Sequence, residues 1–156
     1  MKLTINKKQF LQSWSLAERS TSSSSSMNIL SSVLVKASFE GVTLQATDIR
    51  TSIICTASGV TVVDPGEAVF PIKMVSDLFK KAPGEEFTLD VDDGKVILKA
   101  GRSKYNFSTY PVREFPVLPS SKEAKLFCKV SAGELLMVIE EGTLAASTGE
   151  EYPLYL

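Results

Sequence analysis

The chain has 156 residues, 44% of them apolar and 22% charged, which provides for a buried core and excludes a chain disordered throughout. It carries 17 Lys+Arg against 18 Asp+Glu and no histidine, which removes His-based nucleophile systems, imidazole general bases and His-ligated zinc. No G-x-S-x-G, S-x-x-K or P-loop pattern stands in for them, so neither catalysis nor a cofactor is expected.

Residues 2–5 are predicted as a strand. Asn6 caps the next helix, with Gln9 placed to reach back in a capping box. Phe10, Leu11, Trp14 and Ala17 form one apolar stripe, leaving Lys8, Gln12 and Ser15 on the other face. Residues 20–26 are all Ser or Thr and read as a loop. Ile29 to Phe39 is predicted as a strand, turning at Glu40-Gly41 into a partner strand from Val42 to Thr47. Thr51–Ala57, Val60–Val63 and Glu67–Phe70 follow as strands, separated by Ser58-Gly59 and Asp64-Pro65-Gly66. Pro71 is expected at the first position of a second helix striped by Val75, Leu78 and Phe79, with Lys73, Lys80 and Lys81 off the stripe. Phe87–Val91 and Lys95–Lys99 flank an Asp-Gly turn, and Ser103–Thr109 alternates after Gly101. Tyr110 to Pro119 is punctuated by proline and, with Ser120-Ser121-Lys122, reads as a linker.

These elements give about eight short strands and two helices, each helix with one apolar face. The fold class expected is α+β, an antiparallel sheet with both helices packed on one face. An incomplete second copy follows. Lys125–Leu156 laid under the N-terminus at an offset of 125 matches without a gap. Leu126–Val130 repeats the strand, Ser131 to Glu134 the capping box, and Leu135, Leu136 and Ile139 the helix stripe. Pro153-Leu154-Tyr155 falls over Asn28-Ile29-Leu30. The domain boundaries are therefore 1–119, a linker at 120–124, and the opening of a second unit at 125–156. Without a covering sheet, the apolar stripe of that second unit is expected to be disordered or packed against a partner.

Charge is uneven. Residues 1–122 hold 15 Lys+Arg and 12 Asp+Glu, a net of +3, and residues 123–156 hold 2 and 6, a net of −4. Cys55 and Cys128 lie in apolar runs without metal or redox spacing and read as buried free thiols. There is no run of about 18 apolar residues. The start Met1-Lys2-Leu3-Thr4 lacks the apolar core of a signal peptide, so a cytoplasmic protein is expected.

Several stretches, taken in order, carry a resemblance. Gly101-Arg102-Ser103-Lys104-Tyr105-Asn106-Phe107-Ser108-Thr109, followed by Pro111 and Glu114-Phe115-Pro116, closes the first domain. Ala46-Thr47-Asp48-Ile49 sits in a hairpin, Ile29-Leu30 opens a strand, and Val69-Phe70-Pro71 leads into the second helix. In this combination the chain resembles the bacterial DNA polymerase III β subunit, the replicative sliding clamp. The resemblance covers the first domain and the opening of the second. It implies a non-catalytic processivity factor built from three such domains per chain. Two chains join head to tail in a ring around duplex DNA, tethering the replicative polymerase and served by a clamp loader. This chain is then an N-terminal piece.

The resemblance further implies helices lining the hole, with Lys7, Lys8, Arg19, Lys73, Lys80 and Lys81 facing phosphates without reading bases. It implies a subunit interface at the edge strand Ser103–Thr109, with Tyr105 and Phe107 on an apolar seam and Arg102, Lys104 and Lys73 toward acidic partners. Ser24, with Gly149 as its counterpart, stands where family members often carry a basic residue near the duplex. A second reading is a truncated module that binds another protein, such as a full-length clamp, through that edge strand.

Overall fold

The computed structural model describes residues 1–21, 27–119, 125, 128–144 and 146, and the chain divides into two units, Met1–Leu118 and Pro119–Leu156. In the first unit β1 (Lys2–Asn6) runs into α1 (Lys7–Glu18). A 3-10 turn at Asn28–Ser31 then leads to β2 (Ser32–Ser38), β3 (Gly41–Thr47), β4 (Ser52–Thr56), β5 (Val60–Asp64) and β6 (Gly66–Pro71). After α2 (Ile72–Lys81) come β7 (Glu86–Asp92), β8 (Lys95–Ala100) and β9 (Ser103–Ser108).

All strand pairings in this unit are antiparallel. The expected α+β class holds, with nine strands among the described residues divided between two sheets, ordered β5-β1-β7-β8-β9 and β4-β3-β2-β6. The division follows from β1, which is flanked on both sides: Leu3 faces Val62 of β5 and Leu89 of β7. One core joins both sheets to both helices. Leu3 and Ile5, Val33 and Val35, Leu44, Phe87 and Leu98 meet Phe10, Trp14, Val75 and Phe79 within it. A second, smaller cluster of Ile29, Leu30, Leu34, Val69 and Phe115 lies apart from that core.

Several expectations are corrected. Ile29 and Leu30 belong to the 3-10 turn, not to a strand; the Ser32 hydroxyl donates to the Asn28 carbonyl at 3.0 Å and closes it. Asn6 accepts from the Gln9 backbone N–H at 3.2 Å as a cap should. The return half of the box is replaced, because the Asn6 N–H donates to the Gly59 carbonyl at 2.7 Å. Pro71 is the N-cap of α2 and still the last residue of β6, where its missing N–H is harmless. The stretch read as linker is tied back to the domain. Tyr110 N–H donates to Val69 at 2.9 Å, and Phe115 is buried. The Asp-Gly turn forms as expected, with φ of 44° at Asp93 and 74° at Gly94, the positive pair that a tight hairpin needs.

In the second unit α3 spans Ala132–Thr143 with Ser131 at its N-cap. Leu135, Leu136 and Ile139 are exposed. Cys128–Val130 is not strand, and Cys128 is exposed rather than buried. Leu126, Phe127, Pro153, Leu154, Tyr155 and Leu156 lie outside the described residues, as do Ser24 and Gly149. Among the described residues no helix is long and apolar enough to cross a membrane.

Candidate nucleic-acid interface and sheet edge

The two helices of the first unit run antiparallel, and side chains fix their register. At one end the Lys7 ammonium donates to the carbonyls of Lys80 at 3.3 Å and Ala82 at 2.8 Å. Toward the other, the Trp14 indole N–H donates to the Ser76 hydroxyl at 3.0 Å, which donates to Glu18 Oε1 at 3.4 Å. Between them Phe10 stacks on Trp14 and Phe79 at centroid distances of 5.6 and 5.1 Å, and Phe79 meets Phe87 at 5.0 Å. These contacts turn the apolar stripes inward and the basic residues out.

Lys8, Arg19, Lys73, Lys80 and Lys81 are all exposed on the helices or at the end of α1. The exposed acid among them is Asp77, 3.8 Å from Lys81 in an i,i+4 pair. That pair is open to water and contributes little to stability. Lys7 is different. Its ammonium lies 5.7 Å from the centre of the Phe87 ring and is spent on the last carbonyls of α2. That role depends on which helix end comes beside it, a tertiary fact with no local sequence signal. Among the described residues no group of His, Cys, Asp or Glu is arranged to hold a metal.

Among the described residues β9 closes the five-stranded sheet and pairs only with β8. Tyr105 and Phe107 alternate inward and are half-buried against the main core; the Phe107 ring meets Phe70 edge-on at 6.3 Å. Arg102 and Lys104 are exposed, and Lys104 sits directly opposite Lys99 on β8. Like charges facing each other across strands destabilise the pair.

Residues 1–119 match the family model described as DNA polymerase III beta subunit, N-terminal domain. The beta sliding clamp of Caulobacter vibrioides is 30% identical over 160 residues, covering 100% of this chain and 42% of the relative. That of Pseudomonas putida is 26% identical over 146 residues, covering 93% and 40%. Among solved structures, the DNA polymerase sliding clamp from Bacillus subtilis superposes with a TM-score of 0.89 at 26% identity, over 99% of this chain and 42% of that one. The beta subunit from Streptococcus pyogenes gives 0.88 at 25% identity with the same coverage. The chain spans about 40% of the length of the curated relatives it matches. With a single family model matched across the whole two-sheet unit, the chain belongs to the DNA polymerase III beta subunit family.

Proposed function

We propose that this chain acts as the N-terminal part of a DNA polymerase processivity factor. In full-length form that factor is a head-to-tail homodimeric ring that encircles duplex DNA and tethers the replicative polymerase in the bacterial cytoplasm, after placement by a clamp loader. Residues 125–156 then open a second clamp domain, joined through a linker at 120–124. The work is topological and needs no catalytic residue or cofactor. The observation that carries the reading is the helix pair, with Lys8, Arg19, Lys73, Lys80 and Lys81 exposed and Asp77 the exposed acid within α1 and α2. Such a face grips phosphates loosely and without sequence preference. A closed ring is what turns a weak grip into retention, so the 156-residue chain should bind linear DNA weakly and lose it with salt. A gel shift at low and at physiological salt tests this; tight, salt-resistant binding contradicts it. Intact mass of the native gene product tells whether the chain is made as part of a longer protein.

A second reading is that the chain binds a full-length clamp through β9. The unpaired outer side of β9 and the Lys99–Lys104 opposition favour it. An acidic strand laid along that edge would complete the ladder and relieve the repulsion, with Tyr105 and Phe107 at the seam and Arg102 beside it. A pull-down with the cognate full-length clamp tests it, and no association counts against it.

A further inference from the structure

The β3–β4 loop holds an exposed isoleucine in a conformation that β-branched residues avoid. Ile49 has φ of 81° and is 70% exposed, so no packing of its side chain explains the strain. What imposes it is Thr47. Its buried hydroxyl accepts from the Ile49 N–H at 2.9 Å and from Ser52 Oγ at 2.8 Å, and donates to the Thr51 carbonyl at 2.9 Å. Asp48 Oδ1 accepts from the Thr51 N–H at 2.6 Å. These bonds fix the backbone of the loop, and the residue just past the strained position is Arg50, which is exposed. Strain held by a network of this kind marks a place where position matters.

The topology says where that position is. Asn6 N–H bonds Gly59, and the Ser13 side chain accepts from Ser58 N–H while its carbonyl lies 3.8 Å from Cys55 Sγ. α1 therefore runs antiparallel to β4. From Ser13 to Arg19 the helix advances about 9 Å, and from Cys55 back to Ser52 the strand covers about 10 Å. The loop thus falls beside the C-terminal end of α1. The antiparallel helix pairing brings the start of α2, with Lys73, to this same end. By this placement Arg19, Arg50 and Lys73, from three separate elements, fall toward the same end.

We propose that the Thr47–Ser52 loop is a third nucleic-acid contact element beside the two helices. Its preset backbone holds Arg50 against a duplex phosphate, and Arg19, Arg50 and Lys73 form one basic end. This rests on the DNA-binding reading of the helix pair, and names a residue and a loop that the helix pattern does not include.

The test uses the full 156-residue chain, isotope-labelled, with a short blunt DNA duplex at low ionic strength. The amides of Ile49 and Arg50 should shift on titration together with those of Arg19 and Lys73. In parallel, Arg50→Ala should reduce the slope of log affinity against log salt by about one phosphate contact, and Arg50→Lys should retain it. If Arg19→Ala and Lys73→Ala reduce the slope while Arg50→Ala does not, and the loop amides stay still, the loop proposal fails and the helix interface stands. If no amide shifts and no substitution changes the slope, both fail together.

Discussion

Trp14 and Ser76 are joined by a 3.0 Å hydrogen bond across the two helices, inside a core where the indole is 1% exposed. With the Ser76–Glu18 bond and the Lys7 ammonium on the carbonyls of Lys80 and Ala82, it is one of the polar links beside the aromatic contacts, and it sets how α1 slides against α2. Ser76→Ala leaves the indole N–H buried with no acceptor, a loss of about 1–3 kcal/mol. Urea unfolding followed by tryptophan fluorescence reads the effect directly, since Trp14 is the chain's single tryptophan. An unchanged midpoint would show that the bond does not hold the pair.

Lys7 and Lys8 are neighbours in sequence with opposite assignments. Lys7 satisfies the last carbonyls of α2, and Lys8 points to water. Lys7→Ala should lower stability by about 1 kcal/mol, whereas Lys8→Ala should stay within about 0.5 kcal/mol of wild type. In DNA binding the order reverses, with Lys8→Ala the more costly. Thermal melts and salt-dependent binding of the same two variants check both halves.

Gly59 has φ of 69°, and a methyl group there would lie 2.6 Å from Cβ of Gln9. Gly59→Ala is therefore disfavoured twice, by backbone strain and by collision, and should cost at least about 2 kcal/mol in denaturant unfolding. Because the clash reaches Cβ, adding Gln9→Ala should not rescue it. Recovery in the double variant would locate the problem in the end of the Gln9 side chain instead.

Ile49→Asn removes a β-branched side chain from a left-handed position that asparagine tolerates. Stability should rise by about 1 kcal/mol, and the check is the unfolding midpoint. A fall would mean that the isoleucine makes a stabilising contact outweighing its strain.

Cys55 is half-buried, and desolvation pushes its thiol above the usual range. A raised pKa favours the neutral thiol in the folded chain. The contribution to stability is present below the ordinary thiol pKa and fades as pH rises through the raised one. At neutral pH iodoacetamide should modify exposed Cys128 well before Cys55. The rate at Cys55 should climb only in alkaline buffer; mass spectrometry of a time course resolves the two sites.

Much of the first unit was legible in the residues. The stripe Phe10, Trp14, Ala17 and the alternation of Val42, Leu44 and Ala46 are periodic, and each pattern buries the face it names. The Asp93-Gly94 turn is a local signal with a local cause. Pairings set by distant chain were not legible. Gly59 takes the donor that Gln9 was expected to satisfy, and Lys7 reaches a helix end more than 70 residues away. Ile29 and Leu30 are apolar enough for a strand, but they fill a second cluster with Val69 and Phe115 that only the folded topology creates. For the basic residues, sequence gave their helix faces; which of them share an end required knowing that α1 opposes both β4 and α2.

That opposition has an electrostatic effect of its own. Two antiparallel helices of similar length set the positive end of one macrodipole beside the negative end of the other, so their long-range fields largely cancel. The potential above the pair then comes from the ammonium and guanidinium groups, with no net pull from the backbone toward either end. Charge mounted on flexible stems over a field-neutral floor attracts a polyanion without fixing its register.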